Sequence, residues 1–270
     1  MIKEIIDKLV ALLAVSALLA SCSESELWQN PQTEARDGYI MLNFKTEIPA
    51  MQEVVTRAVD PDGGGVQDMT LFCFDSYGLF ISTVKAGVTV QKPGPGEMEG
   101  TFKAEVPENT RTIHFLANQN MDEFKEDSFR NKSESEVMAV LEGSSGRMIY
   151  WGRFACDAGN DSNIAEQMAT SGNSVKLIRN HARISVDNPD NNGHIVITGF
   201  AVCNTNAFGT VAPHHPKKGF DFTWPSSDDP FVTLPVNDAK MSDITDVTSS
   251  MNQYVFECEN SADAPVSVIL

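Results

Sequence analysis

The feature that most constrains this chain is a rhythm. Short apolar segments recur about every ten residues and are broken by Pro, Gly, Asp and Asn, the pattern of an antiparallel all-β protein. Ile40, Leu42 and Phe44 alternate with Tyr39, Met41 and Asn43, the period of a half-buried strand. Met69 to Phe74 is continuously apolar, Asp75-Ser76-Tyr77-Gly78 is a turn, and Leu79 to Val84 returns as the second arm of a hairpin. Val88 to Val90 is a further short strand, and Lys92-Pro93-Gly94-Pro95-Gly96 is an exposed loop. Thr101 to Val106 and Thr110 to Leu116 follow; in the second, Ile113 and Phe115 share one face and His114 lies on the other. Met148 to Phe154, Val175 to Val186, His194 to Asn204, Val255 to Glu257 and Pro265 to Leu270 complete the series.

Helix signals are few. Ser133 with Glu136 forms a capping box ahead of Val137, Met138, Val140 and Leu141, an apolar stripe at helical spacing, with Gly143 as the stop. Ser162 to Ala169 is a weaker second helix. The expected fold is therefore all-β with one or two short helices.

The N-terminus carries a separate signal. An apolar run from Leu9 to Ala20 follows Lys3 and Lys8, and is too short for a spanning helix, which needs about 20 residues. It ends in Leu19-Ala20-Ser21-Cys22, small residues before a cysteine, which look like a bacterial lipobox. Cleavage between Ser21 and Cys22 would leave an acylated cysteine, palmitate among its chains. Each buried CH₂ contributes about 0.8 kcal/mol, so two or three chains hold a protein on a membrane. The acidic Ser23-Glu24-Ser25-Glu26 resembles an export signal to the outer face of the outer membrane. Residues 1–21 read as signal peptide and 22–37 as a polar tether.

Composition excludes several functions. The net charge of −17 argues against nucleic acid, which demands a basic footprint. Besides Cys22, the chain has Cys73, Cys156, Cys203 and Cys258, far apart and without zinc spacing; they read mostly as small core hydrophobes. No HExxH, GxSxG, Walker A or strand-borne GxGxxG occurs, so no catalytic, cofactor or metal residues are assigned and the chain reads as non-enzymatic. Asp60, Asp62 and Asp68 flank Gly63-Gly64-Gly65, but no Glu sits where a calcium loop needs one, so the segment is a turn. His214-His215 lies between prolines, and adjacent histidines in an extended chain point apart. Thr56-Arg57-Ala58 is a strand-like segment with one Arg before a Gly-rich loop, a good protease target or a plain surface Arg.

These pieces together resemble the fimbrillin superfamily of outer-membrane lipoprotein precursors. The carriers are the lipobox at Cys22, Thr56-Arg57-Ala58, Leu71-Phe72-Cys73-Phe74-Asp75-Ser76-Tyr77-Gly78, Ile113-His114-Phe115-Leu116-Ala117-Asn118 and Leu177-Ile178-Arg179-Asn180-His181-Ala182-Arg183-Ile184. The stretch Asn204 to Pro213, with Phe208-Gly209-Thr210-Val211-Ala212-Pro213, looks like a subgroup of fimbrillin-like accessory or tip lipoproteins. The resemblance implies two tandem β-sandwich domains of transthyretin-like kind, 38–173 and 174–270, the second incomplete because family members continue past Leu270. It also implies an arginine-specific protease acting at Arg57-Ala58. That cut would displace a first strand carrying Ile40, Leu42 and Phe44, and the vacated groove would accept a donor strand from another fimbrial subunit. Anchor-type relatives keep the lipid and are not cut. The expected function is a surface-exposed, lipid-anchored fimbrial (pilus) subunit of anchor, accessory or tip type that serves adhesion. The alternative is a surface glycan-binding lipoprotein with Trp28, Trp151 and Trp224 as stacking platforms, although Trp151 also suits a core.

Overall fold

The computed structural model describes residues 35–48, 65–93, 98–144, 148–186, 197, 199–215, 230–238, 245–246 and 252–270. Among these the chain is mostly β, with two short α-helices.

One eight-stranded sheet dominates, built from β1 (Tyr39–Glu47), β2 (Met69–Phe74), β3 (Phe80–Pro93), β4 (Met98–Pro107), β5 (Thr112–Ala117), β7 (Tyr150–Ala155), β8 (Ser174–Lys176) and β9 (Ile178–Arg179). Its order is β8-β1-β4-β3-β2-β5-β7-β9. The expected hairpin forms, but its second arm does not stop near Val84. Val88 to Val90 belongs to the same strand, which runs to Pro93 and first pairs with β2, then with β4. It changes partner between Ala86 and Gly87, and a register shift between Val88 and Val90 follows inside the β4 ladder.

That long strand lets the sheet curl until its ends nearly meet. The stretch Ser174–Arg179 ties them: Ser174 to Lys176 runs parallel to Lys45–Glu47 of β1, and Ile178 and Arg179 pair with Trp151 and Tyr150 of β7. Between them, the Leu177 N–H donates to the Glu47 carbonyl at 2.8 Å. The result is a nearly closed, barrel-like sheet; closure removes edges that would otherwise invite foreign strands.

Strand alternation splits the apolar residues into two cores. Leu42, Phe44, Leu71, Cys73, Phe102, Ile113, Phe115, Tyr150 and Leu177 fill the inside. Phe72, Phe74, Leu116 and Trp151 point outward into a second core. The two cores explain why β2 and β5 are buried at every position, polar Thr70, Thr112 and His114 included. The outer core is covered by α1 (Glu134–Met138) through Val137 and Met138, by Leu141, and by Val211, Ala212, Phe231 and Val232.

Both helices begin at a capping box. Ser133 caps α1 reciprocally with Glu136, and Asn163 caps α2 (Ile164–Thr170) with Glu166. The expected stripe is shorter than its pattern: α1 ends at Met138 and Val140 is half-exposed. Gly143 is not a helix stop. It lies in β6 (Glu142–Ser144), which pairs with β12 (Phe208–Thr210).

The remaining described strands form two small sheets. β10 (His181–Ser185) pairs with β14 (Asn252–Phe256), and β11 (Gly199–Cys203) lies between β13 (Thr245–Asp246) and β15 (Ser267–Ile269). The four cysteines after Cys22 are free thiols, and burial pushes that of Cys73 up to about 12, so it behaves as a small core hydrophobe.

Candidate functional site

The first candidate is the strand that the protease reading would displace. Ile40, Leu42 and Phe44 sit opposite Val106, Ala104 and Phe102 of β4. All three are buried, and Phe44 stacks on Phe102 at 5.5 Å and meets Phe115 edge-on at 5.0 Å. Fully burying a Leu or Phe contributes about 1.5–3 kcal/mol each. β1 therefore closes the inner core, with ladder partners on both sides. Ser21, Cys22, Arg57 and Ala58 lie outside the described residues, as do Asp60, Asp62, Trp28 and Trp224.

A second group is a buried polar chain on the outer face of β5 and β7. Period two puts His114, Trp151 and Arg153 on that face, and the capping box sets Glu134 in the first turn of α1 above them. Trp151 Nε1–H donates to His114 Nδ1 at 3.1 Å. Because that nitrogen is an acceptor, the proton must sit on Nε2, which donates to Glu134 Oε2 at 2.6 Å. Arg153 closes the chain with Nε–H to Oε2 at 2.7 Å and an Nη2–H to Oε1 at 3.0 Å, a bidentate pair.

Burial pushes the His114 pKa down against the pull of the Glu134 carboxylate, so the ring is neutral. Burial works to raise Glu134, yet the hydrogen bonds from His114 and Arg153 outweigh it and hold the carboxyl down to about 2. This group has the residue types of a catalytic relay but not the access. His114 is fully buried, and the nitrogen a nucleophile would need is taken by an indole. Trp151 is likewise fully buried and is no sugar platform. The sequence offered one signal for this cluster, the polar His114 between apolar neighbours on β5.

Other polar side chains lock loops. Asn118, in the left-handed region at φ 64°, donates to the carbonyls of Gly65 and Met148 at 2.8 and 3.0 Å. Asp68, one of the acidic residues near the Gly-rich turn, accepts from the Asn118 backbone N–H. No grouping of three or more metal-ligating side chains occurs among the described residues. His214 and His215 do not point apart; their rings meet edge-on at 4.3 Å, because His214 Nδ1 bonds the Val232 carbonyl at 2.6 Å and fixes the first ring.

The third candidate is a cleft of about 700 Å³ between the barrel and the smaller sheets. Ile178, Arg179, Asn180, His181 and Ala182 form one wall, Thr210 to Pro213 and His215 another, and Phe256 and Glu257 a third. Gly143 and Gly209 face each other in the β6–β12 ladder, against the lining side chain of Phe256. A Cβ on Gly209 would stand 2.5 Å from Phe256 Cβ, so only glycine lets that ring lie flat there. His181 packs against Phe256 with the rings tilted by 39° and their centroids 3.8 Å apart, and burial pushes its pKa down to about 4. Asn180 Oδ1 accepts from the Ile149 N–H and bonds His181 Nδ1 at 2.7 Å. The sequence reading did not single out these lining side chains as a site, because they come from three distant segments.

No protein-family profile and no curated protein matches the chain. Solved structures do match over most of its length. A candidate cell adhesion protein from Parabacteroides distasonis is 13% identical with a TM-score of 0.46, covering 84% of this chain and 73% of that one. The tip fimbrial protein Mfa3 from Porphyromonas gingivalis, with a C-terminal truncation, is 14% identical with a TM-score of 0.46, covering 83% and 71%. A candidate cell adhesion protein from Bacteroides eggerthii is 12% identical with a TM-score of 0.41, covering 82% and 72%. The β-rich character of the chain rests on its own ladders and cores.

Proposed function

We propose that this chain is a non-enzymatic, cell-surface fimbrial lipoprotein subunit of anchor, accessory or tip type that serves adhesion and joins its neighbours by strand addition. The observation that carries this reading is β15. It pairs with β11 through Ala201–Cys203, and among the described residues it forms the end of its sheet. All three of its residues are exposed, and Val268, Ile269 and the adjoining Leu270 stand 45, 54 and 72% open. An apolar strand with an open edge is what a partner strand recognises. The lipobox supplies export and the lipid on Cys22, and places the protein on the outer membrane. Arg57-Ala58 is the processing point that would free β1 with the lipid. The same reading carries two tandem β-sandwich domains, 38–173 and 174–270.

The test is to shear filaments from cells expressing the chain and to determine the N-terminus of the protein in each fraction by mass spectrometry. Acylated Cys22 in membranes together with filament-associated protein supports an anchor, and Ala58 in filaments supports a processed subunit. Absence from filaments with an intact, unlipidated N-terminus would sink the reading.

A further inference from the structure

We infer that the cleft between β9–β10, the Thr210–Pro213 segment and the end of β14 is a binding site for a neutral oligosaccharide of about three sugar rings. This inference stands apart from strand-mediated assembly, since it uses none of β1 or β15.

Size comes first. A cleft of about 700 Å³ lies inside the range of built ligand sites, about 300–1,000 Å³. Its walls are of two kinds. Ile178 and Pro213, both part-exposed, offer apolar surface for the C–H faces of a pyranose. Arg179, Asn180, Thr210, His215 and Glu257 bring guanidinium, amide, hydroxyl, imidazole and carboxylate groups to the same cleft. That mixture of donors and acceptors matches vicinal hydroxyls, each of which donates and accepts.

Charge selects among ligands. The cleft holds one cation, Arg179, and one anion, Glu257, while His181 is neutral because burial depresses its pKa. An anionic ligand would also have to approach a chain of net charge −17. A cationic ligand would find Arg179 in its way. An uncharged polyol meets neither penalty.

The cleft is also held in shape before anything binds. His181 is pinned between Asn180 and the Phe256 ring, Phe256 rests on the paired glycines, and Glu257 Oε2 accepts the His214 N–H at 3.1 Å. Preformed walls reduce the ordering cost of a weak ligand.

Calorimetric titration of the mature chain with mannotriose, galactotriose and cellotriose tests the site, alongside trigalacturonate and an uncharged heptapeptide. Binding of at least one neutral trisaccharide with Kd below about 1 mM, at least tenfold tighter than the anionic sugar or the peptide, is expected; tenfold corresponds to about 1.4 kcal/mol. Arg179→Gln and Glu257→Gln should each weaken it about tenfold. Ala182→Trp, at an exposed lining position, should block the cleft without touching either core. Its thermal unfolding, within a few degrees of the parent, separates blocking from misfolding. Absence of binding by all three neutral sugars up to about 10 mM, equal binding of trigalacturonate or the peptide, or undiminished binding by folded Ala182→Trp overturns the assignment.

Discussion

At the scale of single residues, the decisive cluster is Trp151–His114–Glu134–Arg153. It fastens α1 to the outside of the barrel through one carboxylate that takes three hydrogen bonds. Removing its charge takes the bidentate carboxylate away from Arg153, whose side chain is 3% exposed. Breaking a buried pair in this way costs about 3–5 kcal/mol, whereas an exposed pair such as Arg130–Asp127 contributes about 0–1 kcal/mol. Glu134→Gln should therefore lower the unfolding free energy by about 3 kcal/mol in a urea titration. Asp127→Ala should leave it within about 0.5 kcal/mol. If both variants cost the same, the cluster is not the clamp described.

At the scale of elements, the β6–β12 ladder shows how a short pairing can matter. It is only three residues long on each side, yet it joins the segment after α1 to the segment that covers the outer core. Gly209 and Gly143 leave the slot that Phe256 fills, and Phe256 in turn carries His181. Gly209→Ala should push Phe256 off its seat at a cost of about 1–3 kcal/mol. The loss should appear as reduced amide protection in β12 and β14, with little change in β2 and β5. Uniform loss across the barrel would show that the ladder is not an independent joint. Gly143 was legible as a breaker in the sequence but not as a strand residue, because its role depends on a partner more than sixty positions away.

At the scale of the whole molecule, buried groups in the barrel and in the smaller sheets respond to pH in the same sense. Glu134 has a folded pKa held down to about 2, so its stabilisation is present above its ordinary value of 4.5 and is lost as pH falls toward 2. His114 and His181 are held neutral, with His181 at about 4. The unfolded chain binds those protons below about 6.5, so the stability they confer is full above that pH and declines as pH falls. All three effects act in one direction. Thermal unfolding should be flat from pH 8 to 7 with respect to these groups and fall steadily below 6.5. Of that loss, about 2 kcal/mol between pH 6.5 and 4 belongs to His181, so His181→Gln should flatten this part of the profile. An unchanged slope in the variant would assign the loss elsewhere.

By itself the sequence determined what is local. Period-two alternation places Ile40, Leu42 and Phe44 on one face of β1, and parity sends His114 away from Ile113 and Phe115; the structure has both. Ser133 and Glu136 set the start of α1 because a capping box closes within four residues. Only the tertiary structure decided what depends on distant partners. β3 runs unbroken to Pro93 because β4 continues the ladder that β2 leaves. The sheet curls because Ser174–Arg179 bonds to both of its ends. The cleft and the His114 cluster bring together residues from segments that no periodicity links. Side-chain period is a property of the backbone and can be read along the chain, whereas closure and site assembly are set by which surfaces remain to be buried once the strands exist.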